Sequence, residues 1–144
     1  MAITSFDPRN PRIVPTNAVP QITNRYLEAN SQSFLAGEFV YFSSGAVTAH
    51  PDAGGDKPIA GIALVDGTSV SSGNITIPVM LINQDDDVYI QVDDGSGNLE
   101  AANTTCVPGV AYDVSGSSNH WTISSNDVTN PKFVFIEALL DANG

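Results

Sequence analysis

The chain has 144 residues, a length that suits one domain with one hydrophobic core. Hydrophobic residues make up 42% of it and charged residues only 15%, a composition that excludes a chain disordered throughout. The net charge of −11 argues against a nucleic-acid partner, because phosphate contacts need a basic face, and it disfavours binding to an anionic membrane.

Residues 1–23 are predicted to form an extended N-terminal arm, and residues 24–144 a single β domain. Four of the nine prolines fall in the arm, and proline pushes the residue before it toward extended conformations. Residues 1–25 hold three arginines against one aspartate, a balance of +2, whereas the rest holds two lysines against fifteen acids, a balance of −13. Such an asymmetry indicates a tail with its own partner.

The apolar residues of the arm distinguish it from a solvated linker. We expect the arm to be mobile in the free protein and to become ordered along a partner; a leader without a role is the alternative. The residues predicted to contact that partner are Ile3, Phe6, Arg9, Arg12, Ile13, Val14, Val19 and Ile22.

The domain begins with a segment whose conformation the sequence leaves open. Residues 25–30 admit either one helical turn, capped by Asn24, or a short strand. Residues 38–42 and 46–48 are predicted strands, joined by a hairpin turn at Ser43-Ser44-Gly45. Residues 49–56, including His50, are predicted to form an exposed loop.

The central part of the sequence, residues 56–92, contains three apolar runs that end in turn residues, which is typical of strands. In the second run Ile75, Ile77, Val79 and Leu81 share one face, because successive side chains of a strand alternate. In the third run the residues that share a face are Val88, Ile90 and Val92. Pro78 interrupts the second run, which predicts an edge strand or a bulge there.

Three more strands are predicted, over residues 110–114, 120–123 and 133–140. Together these patterns predict an all-β fold, a small β-tulip-like barrel or sandwich of about eight short strands with an extended N-terminal arm.

Few residues are candidates for chemistry. Asp85, Asp86 and Asp87, with Asp93 and Asp94, form either a calcium site or a solvated loop that protects the neighbouring strands from pairing with other chains. Trp121 is either a platform for a sugar ring or part of the core or of a subunit interface. The two histidines and Cys106 lie far apart in sequence and form no catalytic or zinc-binding pattern. We therefore expect no enzyme activity, no metal and no cofactor.

Four short segments of the sequence form recognisable motifs: Gly37-Glu38-Phe39-Val40, Pro58-Ile59-Ala60-Gly61-Ile62-Ala63, Ile75-Thr76-Ile77-Pro78-Val79 and Phe133-Val134-Phe135-Ile136-Glu137. These motifs resemble those of tailed-bacteriophage head decoration (cement) proteins. The family combines an extended N-terminal arm with a small β domain that has a Pro-x-x-Gly-hydrophobic strand and a late hydrophobic-x-hydrophobic-Glu strand.

The resemblance implies a non-enzymatic protein on the outer surface of a virion capsid, made in the host cytoplasm. It implies a homotrimer whose arms lie against the major capsid protein and stabilise the shell. The chain differs from the compact members of the family in its longer arm and its long 93–109 segment. The alternative hypothesis is a carbohydrate-binding or host-adsorption module of a tail or fibre, with Trp121, Tyr112 and the aspartate-rich loops as its site.

Overall fold

A computed structural model describes residues 11–16, 19–51, 56–96, 98–100, 105–117 and 120–138. Within these ranges the chain is all β, as predicted, but it has thirteen short strands instead of about eight. The strands are β1 (Arg12–Val14), β2 (Ile22–Thr23), β3 (Phe39–Ser43), β4 (Ala46–Ala49), β5 (Gly61–Ala63), β6 (Val79–Leu81), β7 (Asp87–Tyr89), β8 (Gln91–Asp93), β9 (Leu99–Glu100), β10 (Ala111–Tyr112), β11 (Val114–Ser117), β12 (His120–Ser124) and β13 (Phe133–Val134).

The strands form a sandwich-like arrangement of small sheets. The largest sheet has the order β2-β6-β5-β3-β4, and the next has the order β11-β12-β8-β9. Two ribbons, β1-β7 and β10-β13, complete the fold. Strands β12 and β8 pair in parallel, and the sheets do not close into a single barrel.

The alternation of side chains along the strands places the five-stranded sheet between two core clusters. On β3, Val40 packs with Val47 and Val79 on one face. Its neighbour Phe39 points to the other face and packs with Val114 and Trp121 of the four-stranded sheet. A third cluster, around Tyr112, Ile123 and Phe135, lies under the β10-β13 ribbon. The two-residue alternation of side chains that the sequence predicts for each strand therefore places neighbouring residues in different core clusters.

The central runs are strands, but each is shorter than its apolar pattern. Strand β6 starts just after Pro78, which has no amide hydrogen to donate to the ladder. It lies between β5 and β2, so the prediction of an edge strand is wrong. Of the four residues predicted to share a face, Ile77, Val79 and Leu81 pack in one cluster, whereas Ile75 is 47% exposed.

The predicted hairpin of β3 and β4 is confirmed, and its turn residues Ser44 and Gly45 both have positive φ, as a tight two-residue turn requires. The open question about residues 25–30 is also answered. Leu27 bridges to Thr76 and Glu28 bridges to Val47, so this segment is extended and links β4 to the residues before β6.

The described strands of the arm pair with strands of the β domain. Strand β1 pairs with β7, and β2 pairs with β6. Both segments are extended, as expected, and both belong to sheets of the domain. The Ile13 side chain lies in the core. Residues 1–10 lie outside the described residues, and their part of the prediction stays a prediction.

Candidate functional site

Residues 11–16 of the arm lie on a surface that we call the arm dock, formed by residues 83–89. Strand β1 runs antiparallel to β7, with Arg12 opposite Tyr89, Ile13 opposite Val88 and Val14 opposite Asp87. The alternation of the strand turns Ile13 toward the protein, while Arg12 stays exposed. The dock therefore holds the arm by a short ladder and one apolar side chain.

Ile13 is the residue that fastens the arm to the core. Its side chain is 7% exposed and lies in the cluster that contains Phe39, Ile62 and Trp121. Val88, which faces it across the ladder, packs against the same cluster. The surface of Ile13 is thus covered by its own chain in this structure, and its predicted contact with a partner stays a prediction.

The turn before β7 fixes the end of the arm through polar contacts. The Asp86 carboxylate accepts hydrogen bonds from the backbone N–H of Asn83 at 2.9 Å and of Thr16 at 3.1 Å. The Thr16 hydroxyl donates to the backbone carbonyl oxygen of Asp85. The bond from Asn83, followed by that from Thr16, lowers the pKa of Asp86 below its usual value of 3.8, since both stabilise the charged carboxylate.

The structure separates the eight predicted contact residues into groups. Ile13 is buried and Val14 is half-buried, so these two serve to attach the arm. Arg12 is exposed, and so are Val19 and Ile22, at 68% and 54% of their surfaces. Ile3, Phe6 and Arg9 lie outside the described residues. The exposed residues are the ones that remain available to a partner.

The attachment by Ile13 predicts a large difference between two isoleucines of the arm. Ile13→Ala is expected to lower the free energy of unfolding by about 2–3 kcal/mol, the lower half of the range for a buried isoleucine truncated to alanine. Ile22→Ala, at a side chain 54% exposed, should change it by less than about 0.5 kcal/mol. Urea unfolding of both variants measures the difference. Equal effects would show that Ile13 is not held in the core.

The contact between Asp86 and Thr16 predicts a pH dependence with a definite sign. Folding lowers the pKa of the Asp86 carboxyl group, so this group stabilises the folded state when the pH is above its pKa in the unfolded chain, about 3.8. The stabilisation is lost as the pH falls through the lower pKa of the folded state. Wild-type protein should therefore be more stable than Asp86→Asn at pH 5, and the difference should vanish at pH values below the folded pKa. Urea unfolding of the two proteins at several pH values between about 2 and 6 measures this difference in stability.

Asp85→Asn is the matched control for this comparison, because Asp85 contacts Thr16 only through its backbone carbonyl. The control should show no stability difference of the same size or pH dependence. A loss of stability in Asp86→Asn that is the same at every pH would contradict the assignment.

Asp94 and Asp93 also accept hydrogen bonds from their own chain. Hydrogen bonds from the Asn98 side chain, then from the Ser96 backbone, lower the pKa of Asp94. Asp93 is buried and accepts bonds from the Thr122 hydroxyl at 2.5 Å and the Gly95 N–H at 2.8 Å. Among the described residues, no three histidine, cysteine or acidic side chains converge to hold a metal ion.

The aromatic residues proposed for a sugar site lie in the core. Trp121 is 3% exposed, with its ring 5.3 Å from that of Phe39. Tyr112 is also buried, and its hydroxyl accepts a hydrogen bond from the Val107 N–H. Of the two interpretations of Trp121, the structure therefore supports the core, where a sugar ring cannot reach it.

His50 is the clearest residue that sequence reasoning placed wrongly. It was expected in an exposed loop, but only 2% of its surface is exposed. Its ring contacts those of Tyr41 and Trp121, and its nitrogens lie 3.1 Å from the Pro51 carbonyl oxygen and 3.0 Å from the Lys57 carbonyl oxygen. The ring thus joins the two ends of the loop, which is a structural role.

Comparison with known proteins found no matching family model, no matching curated protein and no matching solved structure. The described residues contain no helix long and apolar enough to cross a membrane.

Proposed function

We propose that this chain is a non-enzymatic decoration protein of a tailed-phage head. It binds the outer surface of the capsid through its N-terminal arm and stabilises the shell as a homotrimer. Its partners are the major capsid protein and two further copies of itself, and its place is the outside of the virion. The motifs that carry the resemblance support this proposal, since each of them overlaps one strand of the fold, β3, β5, β6 or β13.

The observation that carries the proposal is the attachment of the arm through Ile13 and Thr16. This attachment gives the preceding ten residues a defined starting point on the surface of an acidic domain. Those residues include two large apolar side chains, Ile3 and Phe6, and the basic Arg9. A short extended segment with these side chains suits addition to the exposed strands of another protein, where main-chain hydrogen bonds supply affinity and side chains supply specificity.

Trimer formation strengthens the binding of a short arm to the shell. Each arm offers few contacts, but three arms on one trimer bind with a high effective concentration once the first is engaged. The acidic domain, whose residues after position 25 carry a balance of −13, keeps coated particles apart in solution.

Co-sedimentation tests the proposal. Purified protein is mixed with expanded, undecorated heads of the phage that encodes it and with a panel of immobilised glycans. We expect the protein to pellet with the heads up to a fixed stoichiometry and to leave the glycans unbound. Glycan binding without pelleting would favour the host-adsorption alternative and contradict the proposal.

A further inference from the structure

We propose that the arm dock also takes residues 11–16 of a second copy of this chain, so that neighbouring copies exchange β1. The dock accepts this segment within one chain, with Ile13 in the core and Thr16 on Asp86. A second copy offers an identical segment, and every contact of the dock is the same in both arrangements. Only the linker, the connection between Thr16 and Ile22, takes a different path.

The attachment of β1 is limited enough to be exchanged. Strand β1 forms a two-stranded sheet with β7 alone, over three residue pairs. By contrast, β3 and β5 pair on both sides within the larger sheet. Removing β1 from its dock therefore breaks one short ladder and leaves the main sheets intact.

The sequence of the linker favours an extended path. Pro20 restricts the backbone and disfavours a helical conformation of Val19, the residue before it. The six steps from Thr16 to Ile22 span at most about 3.5 Å each, or roughly 21 Å in total. This reach restricts exchange to copies in direct contact, such as the subunits of a small oligomer.

The side chains near the linker favour the exchanged form. Val19 of the linker and Ile22 of β2 are 68% and 54% exposed in the single chain. A linker that crosses to a neighbour runs between two copies, where these side chains lose contact with water. Exchange thus adds apolar burial to contacts that are otherwise unchanged. The proposal stands on contacts within the chain and does not depend on capsid binding.

A disulfide that forms only between chains tests the exchange. Arg12 and Tyr89 are directly opposed and both exposed, and opposed residues of antiparallel strands lie at a distance that a disulfide can join. Arg12→Cys and Tyr89→Cys are made in separate chains of different length, mixed in urea, refolded together at high concentration and oxidised. We expect a disulfide heterodimer on a non-reducing gel.

The control mixture pairs Arg12→Cys with Asp87→Cys, which lies two residues along the same strand and is too far from position 12 for a disulfide. The heterodimer with Tyr89→Cys should form several-fold more than with Asp87→Cys. A chain that carries both Arg12→Cys and Tyr89→Cys should form its internal disulfide at high dilution. Equal yields in the two mixtures would overturn the proposal, whether or not the double variant closes on itself.

Discussion

Gly61→Ala is expected to destabilise the protein by about 3 kcal/mol or more, at the upper end of the range for overpacked cores. Gly61 lies on β5 opposite Leu81 of β6 and opposite Val40 of β3. A Cβ atom added to it would meet the backbone carbonyl oxygen of Met80 at 2.1 Å. Because the obstacle is backbone in the middle of the largest sheet, no side-chain rotation relieves it, and the strands themselves must move apart. Thermal and urea unfolding measure the loss.

Gly109→Ala separates this clash from the general cost of replacing glycine. Gly109 has a φ of +84°, but a Cβ atom there would have no neighbour within 4 Å. Its replacement should cost only about 1–2 kcal/mol, the penalty of a left-handed conformation. If both variants lost the same stability, the close approach of β5 to β6 would not exist in solution.

Trp121→Ala is expected to lower the free energy of unfolding by about 3–5 kcal/mol, as truncation of a buried large aromatic residue does. Trp121 packs edge-on against Phe39 and against His50, which joins the ends of the following loop. Its loss opens a cavity between the two larger sheets. Since domains of this size are stable by about 5–15 kcal/mol, the variant should unfold at a much lower urea concentration.

Tyr89→Ala is the matched control, since Tyr89 is aromatic but 36% exposed on β7. This substitution should lower the free energy of unfolding by less than about 1 kcal/mol, as is usual at surface and half-exposed positions. A Trp121→Ala protein of unchanged stability that loses binding to a glycan would reverse the assignment and favour the sugar platform.

The strands and their buried faces could be predicted because they depend on local pattern. Alternation places Phe39 and Val40 on opposite faces whatever the partner strand is, and the same holds for Val79 and Met80. The turn at Ser44 and Gly45 was predictable for the same reason, since a two-residue turn with positive φ has a strong local preference.

The partners of the strands could not be predicted, because they depend on contacts between distant parts of the chain. Nothing near Ile13 indicates that it pairs with Val88, and its short apolar segment fits a partner's surface as well as its own core. The same limit applies to His50, whose burial depends on Trp121.

A buried ion pair was also missed. The Asp113 carboxylate lies 3.6 Å from the Lys132 ammonium, with both side chains almost covered. Asp113 separates β10 from β11 in a run that the sequence presented as one strand. The signal that could have found the pair is a lone acid inside an apolar strand, because buried charges need a partner.

The proposed function requires that residues 11–16 stay attached to the domain while residues 1–10 bind a capsid. The position of β1 in the domain therefore decides which truncation tests capsid binding. Removal of residues 1–23 would take away β1, β2 and the core residue Ile13, so a loss of binding could reflect unfolding. Removal of residues 1–10 leaves every described contact of the arm in place.

The most direct measurement is co-sedimentation of the full chain and of the chain without residues 1–10 with the same undecorated phage heads. The account predicts that the full chain pellets and that the shortened chain stays in the supernatant, while both unfold at the same urea concentration. Equal pelleting of the two proteins would contradict it.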